Sequence, residues 1–510
     1  MLCLQVSRMF GVQAGFSRRA ENKVRRETGN KAKGGAFPMK RFMDEDFLLE
    51  SETAQRLYHE HAAKMPILDF HSHVNPREIA EDVRYRNLAE AWLTADHYKW
   101  RLMRTDGVGE KYITGGRAAG RDRFQKFAEM MPRAVGNPMY AWVHLELLRY
   151  FHSHVPLTGE TAEEVWQQAG IALAEPDMTA RGVLKKSHVR LLATVDDPAD
   201  DLKWHAAIRA DGCETAVLPT FRVDAILDIA ADDWQNYMLY SLGAAADTDI
   251  TTMEDVRTAI VRRLDAFAAQ GCRLVDAGVA CVRYYEAEEY ELDDIVGKYL
   301  NGKGTPTPLE QEKYRSAILL LLGKECSRRG WVLELHYGAL RNVNTKRFAQ
   351  FGTAAGFDCI SSRDSAEGIT RLLDALDRLE CLPRTILYPA NPADNAVIGS
   401  ILGAFPGEGI RGKVQQGAAW WFNNTQSGIE AQLTSLAGLG LLGTTVGTVT
   451  DSRSLFSFPR HEYYRRILCN FIGGLVERGE YPDDEKQLAQ LVEDICYGNA
   501  ARFIGIDKNQ

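Results

Sequence analysis

After residue 65 the chain keeps repeating one phrase: a short run rich in β-branched residues or leucine, ending in polar groups, and then a longer helical pattern. The runs are PILDF (66–70), VRLLATVDD (189–197), TAVLPTFR (215–222), CRLVDAG (272–278), WVLELH (331–336), RTILYPAN (384–391), KVQQG (413–417) and TTVGTVTD (444–451). Strands buried on both faces read as short continuous apolar runs, and strands that alternate with helices build right-handed βαβ units around a parallel sheet. The pattern therefore predicts an α/β fold, a (β/α)8 barrel of the TIM type. The stretch between the first two runs is too long for an ordinary βα loop. It carries helical patterns such as RNLAEAWL, RDRFQKFAEMM, YAWVHLELLRYF and TAEEVWQQAGIAL, so a large helical insertion is expected after strand 1, over about residues 75–188. SAILLLLGKECSRRG (316–330) reads as an apolar helix with a basic last turn and a glycine stop, placed just before the fifth strand.

At 510 residues, with 45% hydrophobic and 25% charged residues, the chain can bury a large core. Its nine cysteines are scattered singly with no CxxC pair, which suits reduced thiols in a cytoplasm and excludes a disulfide framework or a zinc finger. Runs such as AILLLLG (317–323) fall far short of a bilayer span of roughly 20 residues, so a soluble, cytoplasmic protein without a membrane partner is expected. A formal net charge of −8 argues against nucleic acid, whose binding needs a basic footprint. An anionic ligand would have to be held by a few local arginines.

Residues 1–38 differ from the rest: eight Arg and Lys stand against Glu21 and Glu27, apolar periodicity is weak, and the segment ends in KGGAFP. They read as a disordered or non-native basic extension before a natural beginning near Met39, with an organellar targeting peptide as the alternative. Residues 39–510 then form a single catalytic domain.

In a barrel of this kind function resides at the C-terminal ends of the strands. Those ends carry His71 and His73, Asp196 and Asp197, Arg222, Asp276, His336, Asn391, Trp420 and Trp421, and Asp451 with Arg453. His71 and His73 share strand parity, and two imidazoles with the Asp451 carboxylate make a set that binds one divalent ion. Arg222 and Arg453, aimed into one mouth, would form a bidentate carboxylate clamp. His336 and Asp276 each have an ordinary alternative, as core or helix-capping residues. Trp420 and Trp421 bury large area wherever they fall, and Tyr98 in DHYKW is a phenol inside the helical insertion.

Long ordered stretches carry a resemblance: DFHSHVNPREIAED, NLAEAWLTADHYKWRLMR, GNPMYAWVHLELLRYF, TVDDPADDL, VLPTFRVD, LHYGALRNVNT, NPADN, GAAWWFNN, GLLGTTVGTVTDSRS and PRHEYYRRILCN. From about residue 43 to its end the chain resembles the uronate (glucuronate) isomerases of the amidohydrolase superfamily. The resemblance implies an aldose–ketose isomerase of carbohydrate metabolism that interconverts D-glucuronate with D-fructuronate and D-galacturonate with D-tagaturonate. It implies that His71, His73 and Asp451 hold one divalent metal ion, expected to be zinc, with no organic cofactor. Asp451, Tyr98, His336 and Asp276 become the catalytic groups, and Arg222, Arg453 and Trp420 the substrate-binding ones. A homo-oligomer acting on a small-molecule uronate is expected. One departure stands out, since the family usually reads Asp-His-Gly where this chain has Asp276, Ala277 and Gly278; if the missing imidazole orients substrate, efficiency or preference would change.

The polar set agrees with at most one metal. Superfamily hydrolases with two metals add a bridging lysine and further strand-end histidines, where this chain offers Asp276, His336 and Asn391. The rival readings are a mononuclear metal-dependent sugar-acid hydrolase or dehydratase of the same superfamily, and a sugar-acid-binding regulatory protein on a decayed barrel.

Overall fold

Seven of the eight apolar runs become strands of one parallel sheet: β1 (Ile67–Ser72), β2 (Val189–Asp196), β3 (Ala216–Arg222), β4 (Leu274–Val279), β5 (Val332–Tyr337), β6 (Arg384–Pro389) and β7 (Val414–Gln416). The computed structural model describes residues 40–116 and 118–506. Spatial order equals chain order, and every neighbouring pair is parallel. Each strand must therefore be followed by a crossover, and helices supply it. The chain divides into two compact units, Met1–Asp44 and Glu45–Gln510, and the second contains all the elements that follow. The expectation for residues 1–38 lies outside the described residues.

The eighth run does not become a strand. Its segment lies beside β1, where the Asp451 amide donates to the His71 carbonyl at 3.2 Å and the His73 amide donates to the Ser452 carbonyl at 2.9 Å. No regular ladder forms, for two reasons. The Thr450 amide is taken by the Asp69 carboxylate at 2.8 Å. Gly447 and Asp451 adopt left-handed backbone angles, φ +78° and +48°, which an extended strand does not contain. On its other side the segment meets β7 through a side chain, the Gln415 amide donating to the Thr444 carbonyl at 3.1 Å.

Alternation along β4 and β5 decides which residues face the site. Val275, Ala277 and Val279, with Leu333, Leu335 and Tyr337, pack into the large apolar cluster shared with the surrounding helices. The opposite parity presents Asp276, Gly278, Glu334 and His336 to the inside of the curled sheet. Ala277 is fully buried on the helical side, so the departure from the family's usual triplet changes the packing layer and not the mouth.

Between β1 and β2 run seven α-helices among the described residues, from Pro76–Ala80 to Ala180–Lys186. The helix His97–Thr105 is started by Asp96, whose side chain accepts from the amides of Tyr98 and Lys99. The helix Pro308–Arg329 follows its sequence signals closely: Thr307 and Glu310 form a capping box, Pro308 opens it, and Gly330 ends it at φ +67°.

Candidate functional site

The end of β1 and the loop after the irregular eighth segment bring His71, His73 and Asp451 together. The Nε2 atoms of His71 and His73 lie 3.5 Å and 3.3 Å from Asp451 Oδ1, and the ligand atoms of the three residues all fall within 4.8 Å of one another. Two ligands bonded tetrahedrally to one ion at 2.0–2.2 Å sit about 3.4 Å apart. The separations match that edge and are long for hydrogen bonds. The left-handed backbone at Asp451 turns its carboxylate toward both imidazoles, a conformation Asp tolerates better than most residues.

The charges around His71 favour a cation there. Burial alone would lower its pKa, yet Asp276, Asp451 and Glu334 around it raise it well above the usual value. Burial likewise acts to raise the Asp451 carboxyl, but the adjacent imidazoles of His71 and His73 hold it well below the usual carboxylate range. Burial lowers His73. A neutral imidazole, an ionised carboxylate and a second imidazole surrounded by negative charge are the donor set that a divalent ion requires.

Below this set lies a second buried layer. His336 donates through Nδ1 to Asp276 Oδ1 at 2.8 Å, and its ring stacks on Tyr388 at 4.0 Å between centroids. Burial, reinforced by His71, pushes His336 down to about 4 although Asp276 opposes the shift. Burial acts to raise the Asp276 carboxyl, but Arg222, His336 and His71 hold it far below the usual range. Arg222 bonds Asp276 with one nitrogen and grips Asp224 with two others at 2.8 and 2.7 Å. Its fork is thus already spanned by two carboxylates.

The helices after β1 supply the third part of the site. The Tyr98 hydroxyl donates to Asp451 Oδ2 at 3.0 Å. Burial, followed by the Asp451 charge, raises the phenol well above its usual value, so it stays protonated. His97 stacks on Tyr98 at 4.5 Å and meets Arg453 Nη1 through Nδ1 at 2.6 Å. Burial, reinforced by Arg453, pushes His97 down to about 3; a neutral ring accepts that hydrogen bond.

A cavity of about 490 Å³ opens beside His336, lined among others by Asp224, Gly278, His336, Arg341 and Trp420. Trp420 stands edge-on to His336 at 4.8 Å. Arg341 lies over the Trp421 ring at 4.2 Å with 45% of its side chain exposed, and its nearest carboxylate oxygen, on Asp358, is 3.8 Å away.

The structure thus brings His71, His73, Tyr98, Asp276, His336, Trp420, Asp451 and Arg453 to one place, with Arg222 locked at its edge. Other strand-end groups turn away. Asp196 pairs with Thr194 at 2.7 Å and faces His205 at 3.6 Å; Asp197 accepts from Tyr237; Asn391 caps the turn Pro392–Asp394. Three site residues carry no weight in the strand-end reading: His97, Arg341 and Glu334. His97 adjoins Tyr98 in DHYKW, and Glu334 stands two residues before His336 in WVLELH, a charged residue in an apolar run. For Arg341 the only signal is its place in the loop after β5.

The glucuronate isomerase family model matches residues 39–504. The chain belongs to the glucuronate isomerase family. It is 46% identical to the uronate isomerase of Lachnospira eligens over 470 residues, covering 92% of this chain and 100% of that protein. It is 47% identical to the uronate isomerase of Serratia proteamaculans over 471 residues, again with 92% and 100% covered. Among solved structures, the uronate isomerase from Thermotoga maritima superposes with a TM-score of 0.86 at 32% identity, over 91% of this chain and 100% of that one. The glucuronate isomerase from Caulobacter crescentus, 22% identical with a TM-score of 0.85 over 92% and 98%, shares the fold.

Proposed function

We propose that this member of the glucuronate isomerase family, an aldose–ketose isomerase, interconverts D-glucuronate with D-fructuronate and D-galacturonate with D-tagaturonate. The assignment of roles rests on one observation: a phenol and a carboxylate, Tyr98 and Asp451, are hydrogen-bonded at 3.0 Å at the edge of the His71 and His73 pair. Isomerisation requires the ring to open, a proton to leave C2 and a proton to arrive at C1, while the enediolate between them is stabilised. Asp451 Oδ2 and the Tyr98 hydroxyl form the two ends of a proton relay: the carboxylate accepts, the phenol donates, and the reverse reaction exchanges the roles.

His336, held by Asp276 through Nδ1, leaves Nε2 for a substrate hydroxyl. Trp420 walls the sugar on its apolar side. Arg453 and Arg341 take the substrate carboxylate, with Arg222 fixed behind them by Asp224 and Asp276. His71, His73 and Asp451 hold one divalent ion, zinc by donor type, which when bound polarises substrate oxygens. We also read residues 39–510 as one catalytic domain in which the segment 444–451 occupies the eighth place of a closed (β/α)8 barrel, supported by its contacts to β1 on one side and β7 on the other. The helices between β1 and β2 are then an insertion that covers the mouth and carries Tyr98.

The test is direct. The purified protein is incubated with D-glucuronate and with D-galacturonate in deuterated water, and products are followed by proton NMR. Ketose product with deuterium at C1 is expected; absence of ketose from both sugars would sink the proposal.

A further inference from the structure

His71 uses only one of its ring nitrogens toward the cation set. Its Nδ1 points into the interior of the sheet, where Glu334 Oε2 lies 3.5 Å away and Asp276 Oδ2 3.6 Å away. The two carboxylates are not equivalent. Both Asp276 oxygens are engaged, Oδ1 by His336 and Oδ2 by Arg222. Glu334 accepts from the Tyr388 hydroxyl at 2.8 Å through Oε1, whereas its Oε2 and His71 Nδ1 are each buried without a hydrogen-bond partner among the described residues. Glu334 itself is 0% exposed and His71 is 1% exposed.

Leu274, Val332 and Ile386 fill neighbouring inward positions with apolar side chains, so a glutamate here is costly unless its second oxygen is used. An imidazole that ligates a metal through one nitrogen keeps the right tautomer when the other nitrogen donates to a carboxylate. We infer that Glu334, anchored by Tyr388, is the positioning residue that accepts the Nδ1 proton of His71 and so fixes the ring with Nε2 free toward Asp451. Tyr388 in turn stacks on His336, so the same pair braces both histidines of the pocket floor.

The inference rests on the metal reading of His71, His73 and Asp451 only for its effect on affinity, and the experiment separates the two. Glu334→Gln keeps shape and volume but presents an amide that donates as readily as it accepts. The first readout is the ¹⁵N spectrum of the imidazoles in chelator-treated protein, taken at a pH high enough that the His71 ring is neutral, with the His71 signals assigned by their absence in His71→Asn. The parent should show His71 protonated at Nδ1, and Glu334→Gln should lose that single tautomer. The second is zinc affinity by competition with a chromophoric chelator, which should fall about 10- to 100-fold in Glu334→Gln, as losses of such outer partners do. Tyr388→Phe, which removes only the anchoring hydroxyl, should move both readouts the same way by a smaller factor and stands in if Glu334→Gln does not fold. An unchanged His71 tautomer in a folded variant overturns the inference whatever zinc does. A tautomer shift in a protein that binds no zinc upholds Glu334 as the partner of His71 and overturns the metal reading alone.

Discussion

Tyr98 and Asp451, 353 residues apart in the chain, share a 3.0 Å hydrogen bond that joins the helices after β1 to the irregular segment beside it. The bond divides the work of one carboxylate. Asp451 Oδ1 faces the two imidazoles of β1, and Oδ2 faces the phenol. In the proposed function one residue would therefore serve both the cation set and the proton relay, so removing either neighbour should have separable consequences.

Tyr98→Phe keeps the ring, its stacking on His97 and its burial, and deletes only the hydroxyl. Turnover on D-glucuronate should fall by about 10²- to 10⁴-fold, the range for a general acid or base, while bound metal per chain stays at the parental value. Steady-state kinetics with metal analysis checks both. A variant that keeps a third or more of parental turnover would remove Tyr98 from the relay.

His73→Asn breaks the other side. With one imidazole of a three-residue set gone, metal retained through gel filtration should drop to a small fraction of the parental content. Because the His73 side chain is 27% exposed, where that of His71 is 1% exposed, the melting temperature of chelator-treated protein should change little. Full metal content in the variant would move the ion elsewhere.

His71, His73, His336 and Asp276 were legible because a strand's parity is fixed and its C-terminal end is where a parallel α/β fold keeps its chemistry. The eighth strand was not, since what looked like one more β-branched run, TTVGTVTD, contains Gly447 and Asp451 in left-handed backbone, and its Thr450 amide is diverted to Asp69. Arg222 was readable as a residue in the mouth but not as a locked one, because Asp224 and Asp276 reach it from a different loop and a different strand. His97 and Arg341 owe their places to the fold of loops and helices, for which sequence periodicity gives no side-chain direction.

Ala277 supplies a prediction that reverses the expectation from the family's triplet. Its side chain faces the helical layer, fully buried among apolar groups. Ala277→His should therefore cost roughly 1–3 kcal/mol from overpacking alone, with a further cost for burying ring nitrogens without partners. A lower thermal midpoint with no gain in turnover on either uronate is expected. A gain in turnover would mean that the imidazole reaches the mouth.

His61 makes stability depend on pH at the far end of the molecule. Its Nδ1 and Nε2 lie 2.9 Å and 3.0 Å from carboxylates of Glu493 and Glu485. Burial would lower its pKa, but the two carboxylates raise it above the usual value. A histidine raised on folding stabilises fully below its unfolded pKa of about 6.5 and loses that contribution as pH climbs through the folded value. His61→Gln should thus lower the melting temperature more near pH 6 than near pH 9. An equal deficit at both values would assign the residue to packing alone.

A chain of net charge −8 must still hold an acidic sugar. The overall field repels a uronate, so local cations must outweigh it. Arg222 is neutralised by its two carboxylates, which leaves Arg453, whose nearest partner is the neutral His97, and Arg341, whose guanidinium rests on Trp421 with no carboxylate closer than the 3.8 Å contact to Asp358. A charge-assisted hydrogen bond is worth about 1.5–3 kcal/mol, so Arg453→Met or Arg341→Met should lower kcat/KM for uronates roughly 10- to 100-fold. Neutral aldoses, which have no carboxylate to read, should remain equally poor substrates for variant and parent. Arg222→Met should behave differently: it leaves Asp276 buried without its cation, so it should reduce thermal stability as well as activity. If Arg453→Met and Arg341→Met both lose less than about threefold on uronates while Arg222→Met loses far more without destabilising the fold, then Arg222 swings free of Asp224 to bind the substrate carboxylate and the other two are bystanders.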